Sequence, residues 1–107
     1  MTVIRQEDLI ESIADALQFI SYYHPLDFIR AMRGAWEKEE SPSAKAALTQ
    51  VLVNSRMCAI GKRPICQDTG IVNVFISVGM DVSWEADMSL EDMINEGVRR
   101  GYTHPEN

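Results

Sequence analysis

The sequence predicts an α+β fold that is mostly helical, with about four helices and one or two strands. Two observations lead to this prediction. Apolar residues recur at helical spacing over most of the 107 residues, and one run rich in β-branched residues, after residue 70, has the length of a strand. One strand, or even two, makes a poor sheet by itself. We therefore expect the fold to be part of a larger α/β domain.

The first two helices are predicted from their apolar stripes. The first covers about residues 6–22, where Leu9, Ile10, Ile13, Leu17 and Ile20 recur at helical spacing. The second covers about residues 26–39 and follows Pro25, because proline interrupts a helix but is favoured in the first turn of the next one. A Ser-Pro-Ser breaker at residues 41–43 then predicts a turn that is too short to link two domains.

The third and fourth helices are bounded by recognisable end signals. The third begins at Ser43 or Pro42 and covers about residues 43–60, and Gly61 is the predicted cap at its carboxyl end. The fourth covers about residues 89–101, where Ser89 is the predicted N-cap and Asp92, three residues later, completes an approximate capping box. With 46% hydrophobic residues, the chain has enough apolar side chains for one modest core.

A strand is predicted at about residues 71–79, with the sequence IVNVFISVG. The run alternates only weakly, which is typical of a strand buried on both faces. Residues 81–85 are predicted to form a second, more exposed strand or an extended loop. Because the first strand needs neighbours on both sides, either the chain dimerises through it or a larger sheet is completed by residues outside this sequence.

Composition excludes several classes of function. Ten basic and sixteen acidic residues give a net charge of −6, with no block of Lys or Arg, so we expect neither nucleic acid nor a membrane surface as a partner. No apolar run approaches the roughly 20 residues of a membrane helix, and the first residues lack a signal-peptide core. A cytoplasmic location and a single domain over residues 1–107 are therefore expected.

Chemistry is concentrated in residues 63–70, RPICQDTG, which connect the third helix to the predicted strand. A thiol, an amide and a carboxylate follow one another at Cys66, Gln67 and Asp68. Polar side chains on a connection between rigid elements are typical of functional sites. The residues alone leave two readings open. Cys66 is either a metal ligand at the edge of a polar pocket or a structural thiol, and Asp-Thr-Gly is also good turn chemistry.

The same eight residues resemble the first cluster-ligand motif of the class I fumarases. These are iron–sulfur hydro-lyases, and their relatives include the alpha subunit of L-tartrate dehydratase. The resemblance continues through residues 78–82, 88–93 and 95–102. It implies that the chain is the N-terminal part of a longer enzyme.

The resemblance also implies a role for each residue of the motif. Cys66 would be one of three thiolate ligands of a [4Fe–4S] cluster, Gln67 would hydrogen-bond the dicarboxylate substrate, and Asp68 would assist proton transfer near the substrate hydroxyl. Cys58 corresponds to neither of the other ligands, and packing is expected for it. The remaining ligands would lie in the remainder of the parent chain, so we expect this portion alone to be inactive and to hold no normal cluster.

Fumarate hydratase, interconverting fumarate and (S)-malate in a homodimer, is the activity that the resemblance favours for the parent. The alpha subunit of L-tartrate dehydratase is an alternative within the same class. A noncatalytic helical interaction module, in which the polar motif only forms a turn, is an alternative from another class.

Overall fold

A computed structural model describes residues 1–66 and 71–104. Along these ranges the elements are β1 (Thr2–Arg5), α1 (Gln6–Tyr22), α2 (Leu26–Lys38), α3 (Pro42–Gly61), β2 (Val82–Glu85) and α4 (Leu90–Thr103). The predicted α+β, mostly helical class is confirmed, and the four helices begin and end within two residues of the predicted positions. Within the same ranges, no helix combines the length and the apolar character needed to span a bilayer.

The described residues form two compact units. Residues 1–19 and 71–104 make the first unit, and residues 20–66 make the second. In the first unit β1 and β2 pair in parallel, in a register that runs from Thr2 opposite Val82 to Arg5 opposite Glu85. The residues of β2 were a candidate second strand, whereas β1 was not predicted.

Residues 71–79 do not form the strand predicted for them. They have no regular secondary structure, and most of their side chains are exposed, with Ile71 at 84% and Phe75 at 92%. A strand buried on both faces requires hydrogen-bonded neighbours and covering layers. In the described part of the chain the two-stranded sheet consists of β1 and β2 alone. The prediction of a doubly buried strand here was therefore wrong, because an apolar run cannot supply its own partners.

The core of the first unit lies where α1 and α4 meet. Ile10 and Met93 are each only 1% exposed, and Ala14 is also buried. The two helices approach so closely at Gly97 that an added Cβ would lie 2.7 Å from Ile13 Cβ and 2.9 Å from the carbonyl oxygen of Ile10. Glycine at this position is therefore required by the close packing of the helix backbones.

Three charged side chains of α4 form a network, and one of them, Arg100, joins it to Glu7 on α1. Arg99 donates to Glu96 from Nε at 2.9 Å, and Arg100 donates to the same carboxylate from Nε at 3.0 Å. The guanidinium of Arg100 also donates through Nη1 to Glu7 on α1. The hydrogen bonds from Arg99 and then Arg100 lower the pKa of Glu96 to about 2.

This lowered pKa predicts a loss of stability in acid. Because the pKa of Glu96 is lower in the folded chain than in the unfolded chain, its contribution is fully present above about pH 4.5 and is lost as the pH falls towards 2. We expect the pH dependence of the denaturant midpoint between pH 5 and 2.5 to be shallower in Glu96→Gln than in the unsubstituted chain. Glu11→Gln, at an exposed carboxylate of α1, is the matched control. Equal slopes for the two variants would contradict the assignment.

The second unit is built on α2 and α3. Ser41 caps α3 by accepting a hydrogen bond from the backbone N–H of Ala44, and Pro42 opens the helix. Along the pair, Trp36 Nε1 donates to Thr49 Oγ1 at 2.8 Å, and Lys45 Nζ lies 4.2 Å from the centre of the Trp36 ring. Tyr22, Ser55 and Cys58 are buried. These contacts hold α3 against α2, and the candidate site begins at the carboxyl end of α3.

Candidate functional site

The site begins where α3 ends. Gly61, the predicted cap, is the last helical residue, and the left-handed conformation is adopted by Lys62 instead, at φ 51° and ψ 54°. The backbone N–H groups of Lys62 and Arg63 both donate to the carbonyl of Cys58. These bonds satisfy a carbonyl that the end of the helix would otherwise leave without an intrahelical partner. The chain is therefore turned away from the axis of α3 before it reaches Cys66.

The backbone just before Cys66 is fixed on two sides. The N–H of Ile65 donates to the carbonyl of Ser21 at 2.8 Å, and the carbonyl of Ile65 accepts from Asn54 Nδ2 at 2.9 Å. Both peptide groups of Ile65 are thus bonded to a helix. The connection is held in place although its residues are mostly exposed.

The two cysteines have different environments. Cys58 is 5% exposed, and its thiol donates towards the carbonyl of Pro64 at 3.3 Å. Cys66 is exposed, and neither cysteine forms a disulfide. The buried, hydrogen-bonded Cys58 agrees with the packing role expected for it. Cys66 is the thiol that a metal could reach from solvent.

The other two predicted site residues, Gln67 and Asp68, lie outside the described residues. Their roles in substrate binding and proton transfer stay predictions. The structure therefore places one of the three predicted site residues, Cys66, at the exposed end of an anchored connection.

The fit of an iron–sulfur cluster can be tested on the available donors. An exposed thiol on a fixed backbone suits one thiolate ligand of a cluster. Across residues 1–66 and 71–104, no group of three or more His, Cys, Asp or Glu side chains could hold a metal ion. Cys66 therefore fits as a single ligand, and a complete cluster would need donors in addition to those described.

A separate cavity of about 260 Å³ lies in the second unit. The His24 Nδ1 and Ser55 Oγ atoms share a hydrogen bond of 2.9 Å at its wall, and the His24 ring stacks on Phe28 with centroids 4.2 Å apart. Its lining comprises Tyr23, His24, Ile29, Leu52, Ser55, Arg56 and Ala59. His24 thus has a packing role that its position before a proline did not indicate.

Sequence reasoning also missed Asn54. Asn54 and Ile65 are 11 residues apart in the sequence, and their hydrogen bond forms because the chain reverses direction at Lys62. The signal available in the sequence was the position of Asn54 four residues before Cys58, since residues at this spacing lie on one face of a helix.

The sequence is similar to one protein family and to a protein of known name. The family model described as fumarate hydratase (Fumerase) matches residues 10–106, which is most of the chain. A protein of Methanocaldococcus jannaschii that is named for subunit alpha of L(+)-tartrate dehydratase is 28% identical over 88 residues. The matched region covers 82% of this chain and 31% of that relative, so the chain spans about a third of the relative's length. No solved structure gives a significant match.

Proposed function

This chain belongs to the fumarate hydratase family, a family of hydro-lyases, and from that premise we propose that it is the N-terminal portion of an iron–sulfur fumarate hydratase. The proposed reaction interconverts fumarate and (S)-malate by adding or removing water. The observation that carries the proposal is the family match over residues 10–106, because it runs through the anchored connection that ends at the exposed Cys66.

Each residue of the motif is assigned one task in this proposal. Cys66 holds one iron of a [4Fe–4S] cluster through its thiolate, with the other two thiolates supplied by the remainder of the parent chain. Gln67 binds a carboxylate of the substrate through its side-chain amide. The Asp68 side chain assists proton transfer near the substrate hydroxyl, accepting the proton as a carboxylate or donating it as a carboxylic acid. When bound, the cluster supplies a Lewis-acidic iron with an open coordination position.

The proposal extends to the location, oligomeric state and substrate of the parent protein and to the activity of this portion alone. The parent is proposed to be a cytoplasmic homodimer that acts on a small dicarboxylate. The portion of 107 residues alone is proposed to be inactive, because the described residues provide no group of three metal-binding side chains.

Tartrate dehydration is the second candidate, and the name of the M. jannaschii relative favours it. Both reactions remove water from a hydroxylated dicarboxylate, so the motif at residues 63–70 suits either substrate. The distinction depends on groups that bind the second hydroxyl of tartrate.

The decisive experiment uses the full-length protein that contains this chain, loaded with iron and sulfide without oxygen. Initial rates are measured with fumarate, (S)-malate and L-tartrate. We expect kcat/KM for fumarate to exceed that for L-tartrate by about 10-fold or more, since a site built for one pattern of hydroxyl groups discriminates against another. A preference for L-tartrate would support the second candidate. A cluster-free protein that turns over none of the three would instead favour a noncatalytic helical module.

A further inference from the structure

Two side chains on the last turns of α3 hold the backbone that leads to Cys66. Asn54 Nδ2 donates to the carbonyl of Ile65 at 2.9 Å, and the Cys58 thiol faces the carbonyl of Pro64 at 3.3 Å. The two side chains also contact each other, with Cys58 Sγ 3.6 Å from Asn54 Oδ1. The two carbonyls that immediately precede Cys66 are therefore both bonded to side chains of one helix face.

These contacts are not needed to end the helix. The helix end is closed by the N–H groups of Lys62 and Arg63, which donate to the carbonyl of Cys58. Asn54 instead donates a hydrogen bond to the carbonyl of Ile65, three residues after the left-handed Lys62 and outside the helix. Its amide thus constrains the connection rather than the helix.

The constrained carbonyl belongs to the peptide group that joins Ile65 to Cys66. Peptide groups are planar, so fixing this carbonyl also fixes the orientation of the Cys66 nitrogen. The preceding peptide is held from the other side by the bond from the Ile65 N–H to the Ser21 carbonyl, at 2.8 Å. The orientation of the backbone entering Cys66 is therefore fixed by two hydrogen bonds, one on each peptide group of Ile65.

We propose that Asn54, supported by the buried Cys58 thiol, is a positioning residue for Cys66 as a cluster ligand. The inference rests on the proposed function, because it assumes that Cys66 binds iron. Groups that orient a ligand without touching the metal are part of most metal sites, and their loss typically lowers metal affinity or activity about 10–100-fold. Asn54 acts in this way through the backbone.

The test substitution is Asn54→Asp. Aspartate has nearly the same shape and keeps an oxygen that can accept from Cys58, but its carboxylate cannot donate to the Ile65 carbonyl. Asn54 is exposed, so helix content and the unfolding midpoint report whether the fold is intact. Asn95→Asp, at an exposed position of α4, makes the same change of charge elsewhere and is the matched control.

The first measurement is amide hydrogen exchange of Ile65 in the metal-free protein. Loosening the connection exposes the Ile65 N–H more often, so Asn54→Asp is expected to accelerate its exchange by about 10-fold, while Asn95→Asp stays within about twofold. The second measurement is the rate at which a chelator removes iron from the loaded full-length protein. There we expect a rise of roughly 10-fold or more in Asn54→Asp alone.

The outcomes separate the inference from the function on which it rests. Unchanged Ile65 exchange would overturn the restraint itself. Faster exchange with unchanged iron release would overturn the positioning role. An unsubstituted protein that takes up no iron would overturn the proposed function, and with it the inference, and this result is read before any variant is compared.

Discussion

Gly97→Ala is expected to destabilise the chain by about 1–3 kcal/mol, the range found when extra atoms are forced into a packed core. The new Cβ would lie 2.7 Å from Ile13 Cβ and 2.8 Å from Ile13 Cγ2. It would also lie 2.9 Å from the carbonyl oxygen of Ile10, which is part of the backbone of α1. Because neither a backbone oxygen nor a Cβ can rotate away, α1 and α4 must move apart to accept the methyl group. The free energy of unfolding, measured in urea at neutral pH, checks this expectation.

Two other glycines provide graded controls. Gly34 on α2 has no atom within 4 Å of an added Cβ, so Gly34→Ala should stabilise the chain by about 0.5–1 kcal/mol through helix propensity. An added Cβ at Gly101 would lie 3.3 Å from the Ala14 carbonyl oxygen, which requires only a small adjustment, so its effect should fall between the other two. If Gly97→Ala were as stable as Gly34→Ala, the close approach of α1 and α4 would be wrong.

If the proposed function holds, Cys66→Ser in the full-length protein is expected to lower hydratase activity by roughly 100-fold or more, since loss of a group that only orients a ligand already costs about 10–100-fold. A hydroxyl is a much poorer ligand for iron than a thiolate, so bound iron should fall together with activity. The measurements are iron content and kcat with fumarate after anaerobic reconstitution.

The control separates a ligand from a packing residue. Met57→Ser replaces another exposed, sulfur-containing side chain, on α3, and should retain iron. Because Cys66 is itself exposed, Cys66→Ser should leave the unfolding midpoint of the metal-free protein nearly unchanged. Full iron content and activity in Cys66→Ser would show that the thiol is not a cluster ligand.

The helices could be predicted from the sequence because their information is local. Apolar spacing, Pro42 at the start of α3 and the Ser89 cap of α4 all act within a few residues, and the cap is observed as a 3.1 Å bond from the Asp92 N–H to Ser89 Oγ. The cap at the end of α3 was less predictable. Glycine is favoured at a left-handed position, yet the chain uses Lys62, one residue after the glycine.

The strands could not be predicted in the same way, because a strand depends on a partner. Residues 71–79 have the composition of a buried strand but lie exposed and unpaired with β1 or β2. The four residues of β1 are too few to show a period, yet they pair with β2. In both cases, the presence or absence of a hydrogen-bonded partner strand, rather than β-propensity, determined whether a strand formed.

The chemistry of the candidate site stays a prediction, and the contacts that hold its backbone could not be predicted from the sequence. The sequence of residue types at 63–70 indicated a site containing Cys66 without any coordinates. The contacts of Asn54 and Cys58 with the connection depend on the reversal at Lys62, which leads the chain back along the end of α3. Such contacts follow from backbone geometry that no local pattern records.

The parallel pairing of β1 with β2 determines the order in which the chain can fold during synthesis. Each residue of β1 meets a partner 80 residues later in the sequence. At the roughly 5–20 residues per second of translation, β1 waits about 4–16 s for that partner to be made. The second unit, in contrast, is one continuous stretch of residues and can fold as soon as α3 has left the ribosome. The residues of β1 are therefore synthesised well before their partners in β2 are available to pair with them.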